Sequence, residues 1–359
     1  MWVRRLELVD FRNYENVAVE LGPGLTAVIG ANGQGKSNLV EAIAYLPTRE
    51  SFRGAPPAAL VREGCQEAIV RAEVEQPDGR VVTIECALAV GGRDRVLVNK
   101  QRPRRPSELL DVARVTVFSP DDLALLKEGP AVRRRFLDLA MVGLHPRLDA
   151  DRRDLERILR HKATLLKQAG GRLDDDAALT LDVWNTKLTE VGELIGRARA
   201  ELVEALAPEV ARAYGELAPG GGAVVLGYDP PWRRTGLADA LAAARTDEVR
   251  RQVCLVGPHR DDLDVVLDGL PARTHASQGE QRTLALALRL AGHRLVTDRT
   301  GSAPVLLLDD VFSELDPARS AALLRHLPPG QVLLTTAGPL PDLAEPERVL
   351  RVERGKLVG

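Results

Sequence analysis

The chain contains few aromatic and few sulfur-containing residues. Phe, Trp and Tyr account for 3% of its 359 residues, and it has three cysteines and two methionines. So few rings argue against nucleic-acid binding that depends mainly on base stacking. The cysteines (Cys65, Cys86 and Cys254) are odd in number, far apart and without a C-x-x-C pair. This spacing argues against a disulfide framework and predicts reduced, packing thiols in a cytosolic protein.

Long hydrophobic runs and a large net charge are also absent. No run has the length of a membrane span, and the N-terminus lacks the apolar core of a signal peptide. We therefore expect a cytoplasmic protein with no membrane partner. The formal net charge is −2 at pH 7, so any surface that binds nucleic acid must be a local basic patch. The length allows one large core or two domains.

The clearest positive signal is a phosphate-binding loop. Gly30–Ser37 (GANGQGKS) matches G-x-x-x-x-G-K-[ST] and follows the apolar run Leu25–Ile29. Backbone N–H groups of such a loop and the dipole of the next helix hold a triphosphate. Lys36 would reach the β- and γ-phosphates, and the Ser37 hydroxyl would ligate Mg²⁺. The ATP-binding residues predicted in this segment are Gly30, Ala31, Asn32, Gly33, Gln34, Gly35, Lys36, Ser37 and Asn38.

A second apolar run ends in two carboxylates. Val305–Leu308 is followed by Asp309 and Asp310. A carboxylate at the end of such a strand can hold Mg²⁺ opposite Ser37, whereas the alternative is a buried strand with an acidic turn. The phosphate loop upstream favours the metal site. We predict Ser37 and Asp309 as metal-binding residues, and Lys36, Asp309 and Asp310 as catalytic residues.

Two further segments define the class of ATPase. Ser277–Gln281 (SQGEQ) precedes a predicted amphipathic helix, and Ser313–Asp316 (SELD) follows the acidic strand. A Ser-x-Gly-x-Gln segment at a helix N-terminus can offer a hydroxyl, backbone N–H groups and the helix dipole to a γ-phosphate. Phosphate-loop kinases and small GTPases have no such segment. An ordinary N-cap would explain Ser277 alone, but it would not explain the order of all four segments.

The order of these segments resembles that of the ABC ATPases, particularly the SMC-like branch that acts on DNA. Within that branch the chain resembles the RecF family of bacterial recombination mediators over essentially its whole length. The stretches that carry this resemblance are Phe11–Tyr14 (FRNY), Ser119–Leu123 (SPDDL), Arg133–Asp138 (RRRFLD) and Gly257–Leu263 (GPHRDDL).

The resemblance implies a homodimer with ATP sandwiched between the phosphate loop of one protomer and the Ser-x-Gly-x-Gln segment of the other. It also implies weak, DNA-stimulated hydrolysis of ATP to ADP and phosphate. Arg12 is expected at the α-phosphate, with Asn13 in the same site. The implied partners are gapped, double-stranded or single-stranded DNA, together with RecR and RecO, upstream of RecA. The residues expected to contact ATP in trans are Ser277, Gln278, Gly279, Glu280, Gln281 and Asp316.

The chain departs from the wider class at three places. Asp310 stands where most relatives have a glutamate that orients water, and the shorter side chain leads to the hypothesis of slow hydrolysis. A glutamine is missing near Ser119–Leu123. A histidine is missing after Val332–Leu334, where Thr335 and Thr336 stand instead. The group that senses the γ-phosphate is therefore left open.

The periodicity of the chain predicts its architecture. Strands are expected near both chain ends, including buried parallel ones at Leu255–Gly257, Val305–Leu308 and Val332–Thr336. Residues from 131 to 217 have helical periods, with a coiled-coil-like seam from Leu181 to Leu202. We predict an α/β ABC-type, SMC-like ATPase head formed by residues 1–118 and 246–359. An inserted helical domain, residues 119–245, would contain a short antiparallel helical stalk.

Basic residues around the helical region could pair with DNA phosphates, giving binding that weakens with salt and ignores sequence. The alternative is a solvated helix with nearby acidic partners. The basic run continues as far as Lys162. The DNA-binding candidates are Arg104, Arg105, Arg133, Arg134, Arg153, Arg157 and Arg160.

Some alternatives stay open at this point. The nucleotide-binding subunit of an ABC transporter would share the phosphate loop, but the helical region and the missing glutamine and histidine argue against it. A phosphate-loop kinase or metabolic ATPase is disfavoured by the Ser-x-Gly-x-Gln segment. His259 and Arg260 could contact nucleotide or couple subdomains, or His259 could be a hydrogen-bonded core histidine.

Overall fold

The computed structural model describes residues 1–92, 94–105 and 107–358, while Arg93, Pro106 and Gly359 lie outside the described residues. The chain forms two compact units. The sheet unit comprises Met1–Leu123, Glu209–Gly221 and Ser277–Gly359, and the helical unit comprises Ala124–Pro208 and Gly222–Ala276.

Fourteen strands are present among the described residues. In chain order they are β1 (Trp2–Phe11), β2 (Tyr14–Glu20), β3 (Leu25–Ile29), β4 (Glu67–Glu75), β5 (Val81–Ala89), β6 (Arg95–Val98), β7 (Val115–Phe118), β8 (Val224–Gly227), β9 (Asp264–Leu267), β10 (Leu270–Pro271), β11 (Val305–Asp309), β12 (Val332–Thr336), β13 (Arg348–Glu353) and β14 (Lys356–Val358).

Eleven α-helices lie among the same residues. They are α1 (Lys36–Thr48), α2 (Glu108–Val112), α3 (Ala124–Lys127), α4 (Pro130–Leu144), α5 (Leu148–Gln168), α6 (Asp175–Leu217), α7 (Trp232–Thr235), α8 (Leu237–Arg251), α9 (Ala272–His275), α10 (Gln278–Thr300) and α11 (Pro317–Arg325).

The sheet unit contains two sheets. One is antiparallel with the order β2-β1-β4-β5-β6, and the other has the order β14-β13-β3-β12-β11-β7. In the second sheet all strands except β14 run parallel. Its two inner strands β11 and β12 are buried at every position, as expected for strands covered on both faces.

The register of the parallel sheet brings the ends of three strands together. Asp309 at the end of β11 is paired with Thr335 of β12, and Thr335 is paired with Val28 of β3. The phosphate loop starts immediately after β3. Because the carboxyl ends of parallel strands meet at one edge of a sheet, the loop and the acidic pair are brought together there.

The helical unit contains the predicted antiparallel stalk, formed by α5 and α6. Leu181, Leu188 and Ile195 of the predicted seam are completely buried, and Leu202 is 4% exposed. Near the turn between the helices, the ring of His161 stacks on Trp184 with centroids 4.9 Å apart. The unit also contains the small antiparallel sheet β10-β9-β8.

The predicted domain limits differ from those of the compact units. Residues 246–276 belong to the helical unit, because β9 pairs with β8 and Val249 packs with Leu166 and Leu181. Residues 209–221, which include the end of α6, belong to the sheet unit. Within that unit Glu216 forms an ion pair with Arg294 on α10.

The predicted strand at Leu255–Gly257 is wrong, since this segment is irregular. Its polar backbone atoms and those of the preceding residue are bonded to side chains instead of a neighbouring strand. The N–H of Leu255 donates to the Glu248 carboxylate (2.8 Å). The carbonyl of Cys254 accepts from the Arg260 guanidinium at 2.7 and 3.0 Å. A short apolar run alone does not reveal such partners.

Candidate nucleotide-binding site

The phosphate loop depends on glycine at two positions of close approach. Gly30 has a φ of +156°, and a Cβ there would lie 2.4 Å from the Val352 carbonyl oxygen on β13. Gly35 has a φ of +118°, and a Cβ there would lie 2.7 Å from the Asn13 amide. Both contacts are impossible for a larger residue without a shift of the backbone or of Asn13. The loop is thus packed directly against the β1–β2 turn and β13.

Hydrogen bonds from the same neighbours fix the conformation of the loop. The Asn13 side chain donates to the Gln34 carbonyl (2.8 Å) and accepts from the Asn38 amide (2.8 Å). The Tyr14 hydroxyl donates to the Gly35 carbonyl (3.0 Å). In this structure Asn13 therefore orders the loop from behind, and its predicted contact with nucleotide stays a prediction.

Lys36 lies against the loop with a partly desolvated ammonium group. Its Nζ donates to the Ala31 carbonyl at 3.0 Å. Burial lowers the pKa of Lys36, while Asp310 and Asp309 oppose that change. The contact with Ala31 holds the ammonium beside the concave side of the loop, where a polyphosphate would replace the carbonyl as its partner.

The predicted magnesium ligands are adjacent. The Ser37 hydroxyl is hydrogen-bonded to the Asp309 carboxylate, which is 5% exposed. Burial raises the pKa of Asp309, and the hydrogen bonds from Ser37 and Thr335 act against that rise. A hydroxyl and a carboxylate are the hard oxygen donors that Mg²⁺ prefers, with phosphate oxygens and water completing its shell. The pair therefore fits a nucleotide-bound Mg²⁺.

No larger cluster competes for a metal ion. Across residues 1–92, 94–105 and 107–358, no group of three or more His, Cys, Asp or Glu side chains could hold one. A site with two protein ligands is what a metal bound mainly through phosphates requires.

The side chains of Asp309 and Asp310 are in different environments. Asp310 follows the end of β11 in the left-handed conformation, with a φ of +50°. Its backbone N–H donates to the Thr335 hydroxyl at 2.9 Å, and the same hydroxyl donates to the Asp309 carboxylate at 2.8 Å. The strand change at Asp310 thus separates the two carboxylates.

Arg12 occurs in an ion-pair cluster beside α1. Its guanidinium forms two hydrogen bonds of 2.9 Å with Glu41, whose carboxylate is completely buried, and one of 3.0 Å with the Ala59 carbonyl. The Ser51 hydroxyl donates to Glu41 as well. Arg53 lies 3.9 Å from Glu41 and donates to the Asn38 side chain at 3.2 Å. The expected contact of Arg12 with the α-phosphate stays a prediction.

Sequence reasoning missed Glu41 and Arg53. A signal was present, because Glu41 lies on the inward face of a helix that is otherwise apolar (NLVEAIAYL). A carboxylate at such a position must be paired, and a nearby arginine is the usual partner.

The Ser-x-Gly-x-Gln segment forms the start of α10. The Ser277 hydroxyl accepts from the Glu280 N–H (3.3 Å), and the Glu280 carboxylate accepts from the Ser277 N–H (2.7 Å). This capping box lowers the pKa of Glu280 through those hydrogen bonds. Ser277 and Gln278 are exposed, whereas Gln281 is buried. The N-cap alternative is thus realised, and it leaves the exposed N-terminus of α10 available to an anion.

Asp316, predicted from the second segment, is joined to the first by an arginine. It caps α11 by accepting from the Arg319 N–H (2.9 Å), and it also accepts from the Arg319 guanidinium (2.7 Å). That guanidinium lies against Gly279, where a Cβ would be 3.0 Å from Arg319 Nη1. Arg319 was missed by sequence reasoning, because only the fold places α11 beside the start of α10.

Two of the proposed DNA contacts are wrong for a structural reason. Arg133 is 5% exposed and forms two hydrogen bonds, of 2.7 and 2.8 Å, with Asp262. Arg134 donates to the Asp261 carbonyl at 2.7 Å, and burial lowers its pKa. Consecutive residues of a helix point in different directions, so a run of arginines cannot form one exposed face.

The basic helix α5 is likewise not uniformly exposed. Lys162 is completely buried in an ion pair with Glu248 (2.7 Å). Arg153 and Arg157 are exposed but paired with Asp149 and Asp154 on the same helix. The candidates that remain exposed are Arg104, Arg105, Arg153, Arg157 and Arg160.

His259 is a core residue of the helical unit. Its Nε2 lies 3.1 Å from the Cys254 carbonyl, and burial lowers its pKa to about 4. Arg260 shares that carbonyl. These contacts agree with the hydrogen-bonded core histidine, one of the alternatives that the sequence left open.

The chain matches proteins of known family. Residues 2–336 match the family model described as the RecF/RecN/SMC N terminal domain. The DNA replication and repair protein RecF of Streptomyces avermitilis is 45% identical over 352 residues, which cover 94% of this chain and 93% of that protein. No helix of the described residues combines the length and apolarity that crossing a membrane requires.

Solved structures of similar fold include a nucleotide complex. The recombination mediator protein RecF with ATP, from the RecFOR pathway, is 29% identical with a TM-score of 0.90 over 99% of this chain and 97% of that chain. An Smc head bound to the C-winged helix domain of ScpA is similar in fold, with a TM-score of 0.61 at 19% identity over 100% of this chain and 97% of that chain.

Proposed function

The chain belongs to the RecF family of DNA replication and repair proteins, and from that premise we propose that it is an ATP-dependent DNA-binding protein whose homodimer forms around ATP. Family membership also overturns the alternative of an ABC transporter subunit. The observation that carries the proposal is the meeting of the phosphate loop, the Ser37–Asp309 pair and Asp310 at one edge of the parallel sheet.

The phosphate loop and its neighbours would bind the triphosphate. Backbone N–H groups of the loop and of the start of α1 would contact the β- and γ-phosphates. Lys36 would exchange its Ala31 partner for phosphate oxygens. Ser37 and Asp309 would hold Mg²⁺, which when bound neutralises the β- and γ-phosphate oxygens. A solved relative of this family holds ATP, which supports the choice of nucleotide.

The second half of the pocket would come from another copy of this chain. Ser277, Gln278 and Gly279 present an exposed helix N-terminus with its positive dipole end, and Arg319 adds a cation beside it. A γ-phosphate provides the anion that this surface lacks, whereas ADP does not. ATP would therefore favour the dimer and hydrolysis would loosen it.

Hydrolysis itself would be slow. Water attacks the γ-phosphorus while the bond to the ADP oxygen breaks, and a carboxylate near the water accepts the proton. Asp310 is the candidate for this role, since Asp309 is committed to Ser37 and Thr335. An aspartate is one methylene shorter than glutamate and would hold the water less well. DNA stimulation of this step is part of the proposal.

The partners follow from the family. We propose that the protein acts on gapped DNA in the cytoplasm with RecO and RecR, upstream of RecA, because the solved relative belongs to the RecFOR pathway. Arg153, Arg157 and Arg160 on α5 support contact with DNA phosphates, since all three are exposed. Binding through such residues is independent of sequence and sensitive to salt.

The test combines DNA binding with mass measurement. Affinity for gapped, double-stranded and single-stranded DNA is measured over a range of salt with ATP, with ADP and without nucleotide, while light scattering reports the oligomer. We expect dimers and the tightest binding only with ATP. A monomer that binds DNA equally well in all three states would contradict the proposal.

A further inference from the structure

Thr335 occupies a central place between the two carboxylates. It is the fourth residue of β12, is completely buried, and lies between β3 and β11 in the sheet. Its hydroxyl donates to the Asp309 carboxylate at 2.8 Å and accepts from the Asp310 N–H at 2.9 Å. A single hydroxyl thus contacts both residues of the acidic pair.

These two hydrogen bonds constrain different degrees of freedom. The bond to Asp309 fixes the rotation of its carboxylate, whose other hydrogen-bonding neighbour is the Ser37 hydroxyl. The bond from the Asp310 N–H fixes the peptide group between the two aspartates. That peptide enters the left-handed conformation of Asp310, with a φ of +50°, which an aspartate adopts only at some cost in free energy. The hydroxyl therefore holds the point where the strand ends.

We propose that Thr335 is a positioning residue that holds Asp309 toward Ser37 for Mg²⁺ and directs Asp310 away from it toward the water. This inference rests on the proposed function. It assigns a role to a position that sequence reasoning left open, and that role is distinct from direct contact with the γ-phosphate. Without the hydroxyl, the Asp309 carboxylate would rotate more freely and the Asp310 peptide would lose its partner.

The neighbouring threonine is a matched control. Thr336 is also buried, at 5% exposure, and also ends β12. Its hydroxyl bonds only to the backbone of Gly338, at 3.1 and 3.4 Å. Removal of this hydroxyl disturbs the same strand end without changing a contact of the acidic pair.

The experiment measures how much Mg²⁺ the full-length protein needs to bind ATP. Binding of a fluorescent ATP analogue is titrated at increasing Mg²⁺ and in EDTA for wild type, Thr335→Val, Thr335→Ser and Thr336→Val. We expect Thr335→Val to raise the Mg²⁺ concentration for half-maximal binding about tenfold, equivalent to about 1.4 kcal/mol. Binding in EDTA should not change, and Thr335→Ser should stay within about twofold of wild type because it keeps the hydroxyl.

The outcomes separate this inference from the proposed function. Wild-type Mg²⁺ dependence in Thr335→Val would overturn the role of Thr335 alone, as would an equal shift in Thr336→Val. A wild-type protein that fails to bind ATP at any Mg²⁺ concentration would overturn the proposed function and this inference together. If Thr335→Val does not fold, Thr335→Ser and Thr335→Ala are compared, because they differ only in the hydroxyl. Equal Mg²⁺ requirements in that pair would contradict the inference.

Discussion

The Arg12 guanidinium and the Glu41 carboxylate form two hydrogen bonds of 2.9 Å, and Glu41 is completely buried beneath them. Arg12 also donates to the Ala59 carbonyl. A guanidinium has five N–H donors, so two remain for a phosphate even while all three contacts persist. Arg12 can therefore be held by Glu41 and bind nucleotide at the same time.

This relationship predicts that Glu41→Gln weakens ATP binding through Arg12. The neutral amide keeps the shape of the side chain but loses the charge that orients the guanidinium, so we expect affinity to fall about tenfold. A double-mutant cycle with Arg12→Ala is the measurement, using titration calorimetry. In the Arg12→Ala background Glu41→Gln should have little further effect on affinity. Fully additive losses would show that Glu41 does not act through Arg12.

The trans arrangement predicts complementation between two inactive variants. Lys36→Ala should abolish ATP-driven dimerisation while keeping the fold, and Ser277→Ala should remove a hydroxyl from the opposite half of the pocket. In a mixed dimer, the intact phosphate loop of the Ser277→Ala protomer faces the intact Ser277 of the other. One complete site is thereby restored.

The measurement is ATP turnover and light scattering on each variant alone and on the mixture. We expect each variant alone to turn over ATP at least about tenfold more slowly than wild type, and the mixture to recover a large part of one site. A mixture no more active than its components would place both residues in the same pocket of one chain. Circular dichroism of each variant controls for folding.

Asp310 should respond differently to two conservative changes. Asp310→Asn removes the candidate base and should lower turnover by about 10²-fold or more while sparing ATP binding. Asp310→Glu extends the carboxylate by one methylene and should raise turnover, if the short side chain is what makes hydrolysis slow. Single-turnover kinetics with ATP in each variant measures this step. An unchanged rate in Asp310→Asn would remove Asp310 from catalysis.

Local patterns with a fixed spacing were sufficient to predict much of the site. The phosphate loop, the acidic strand end and the Ser277 N-terminus each lie within one short segment, and the parallel sheet brings the first two together as predicted. Arg319 and Thr335 could not be assigned in this way. Their roles come from contacts between segments that are distant in the chain, and only tertiary packing supplies these.

Burial was the other property that the sequence concealed. Arg133, Lys162 and Glu41 are all charged, and helical periodicity alone did not show that each is turned inward toward a partner of opposite charge. The strand predicted at Leu255–Gly257 failed for a related reason, because side chains satisfy the backbone there.

Two buried histidines predict a pH dependence of stability. Burial lowers the pKa of His259 and of His293 to about 4 in the folded protein. The unfolded chain binds more protons between that value and the usual value of about 6.5, so stability is lost as pH falls through this window. Each histidine contributes up to about 1.4 kcal/mol per pH unit there.

Replacement of one histidine isolates its part of this dependence. In His293→Gln, stability should fall less steeply than in wild type between about pH 6.5 and 4, whatever the absolute stability of the variant. Carboxyls with raised pKa, such as Asp261 and Asp309, act in the opposite sense but are common to both proteins. Urea unfolding at several pH values gives the two slopes. Parallel curves would contradict a neutral buried His293.

The opposite environments of Arg133 and Arg160 predict opposite phenotypes. Arg133→Gln would leave Asp262 and the carbonyls of Leu125 and Glu128 without their donor, so we expect a loss of about 2–3 kcal/mol in the free energy of unfolding. Arg160 is exposed and has no ion pair among residues 1–92, 94–105 and 107–358. Arg160→Gln should therefore change stability by less than about 0.5 kcal/mol.

DNA binding then separates the two roles. If Arg160 pairs with a phosphate, Arg160→Gln should weaken binding to all sequences alike and reduce the slope of log K against log salt by about 1. Arg133→Gln, measured where it is still folded, should keep the wild-type slope because its guanidinium faces the protein interior. A reduced slope in Arg133→Gln with a wild-type slope in Arg160→Gln would reverse the assignment and place the DNA on α4 instead of α5.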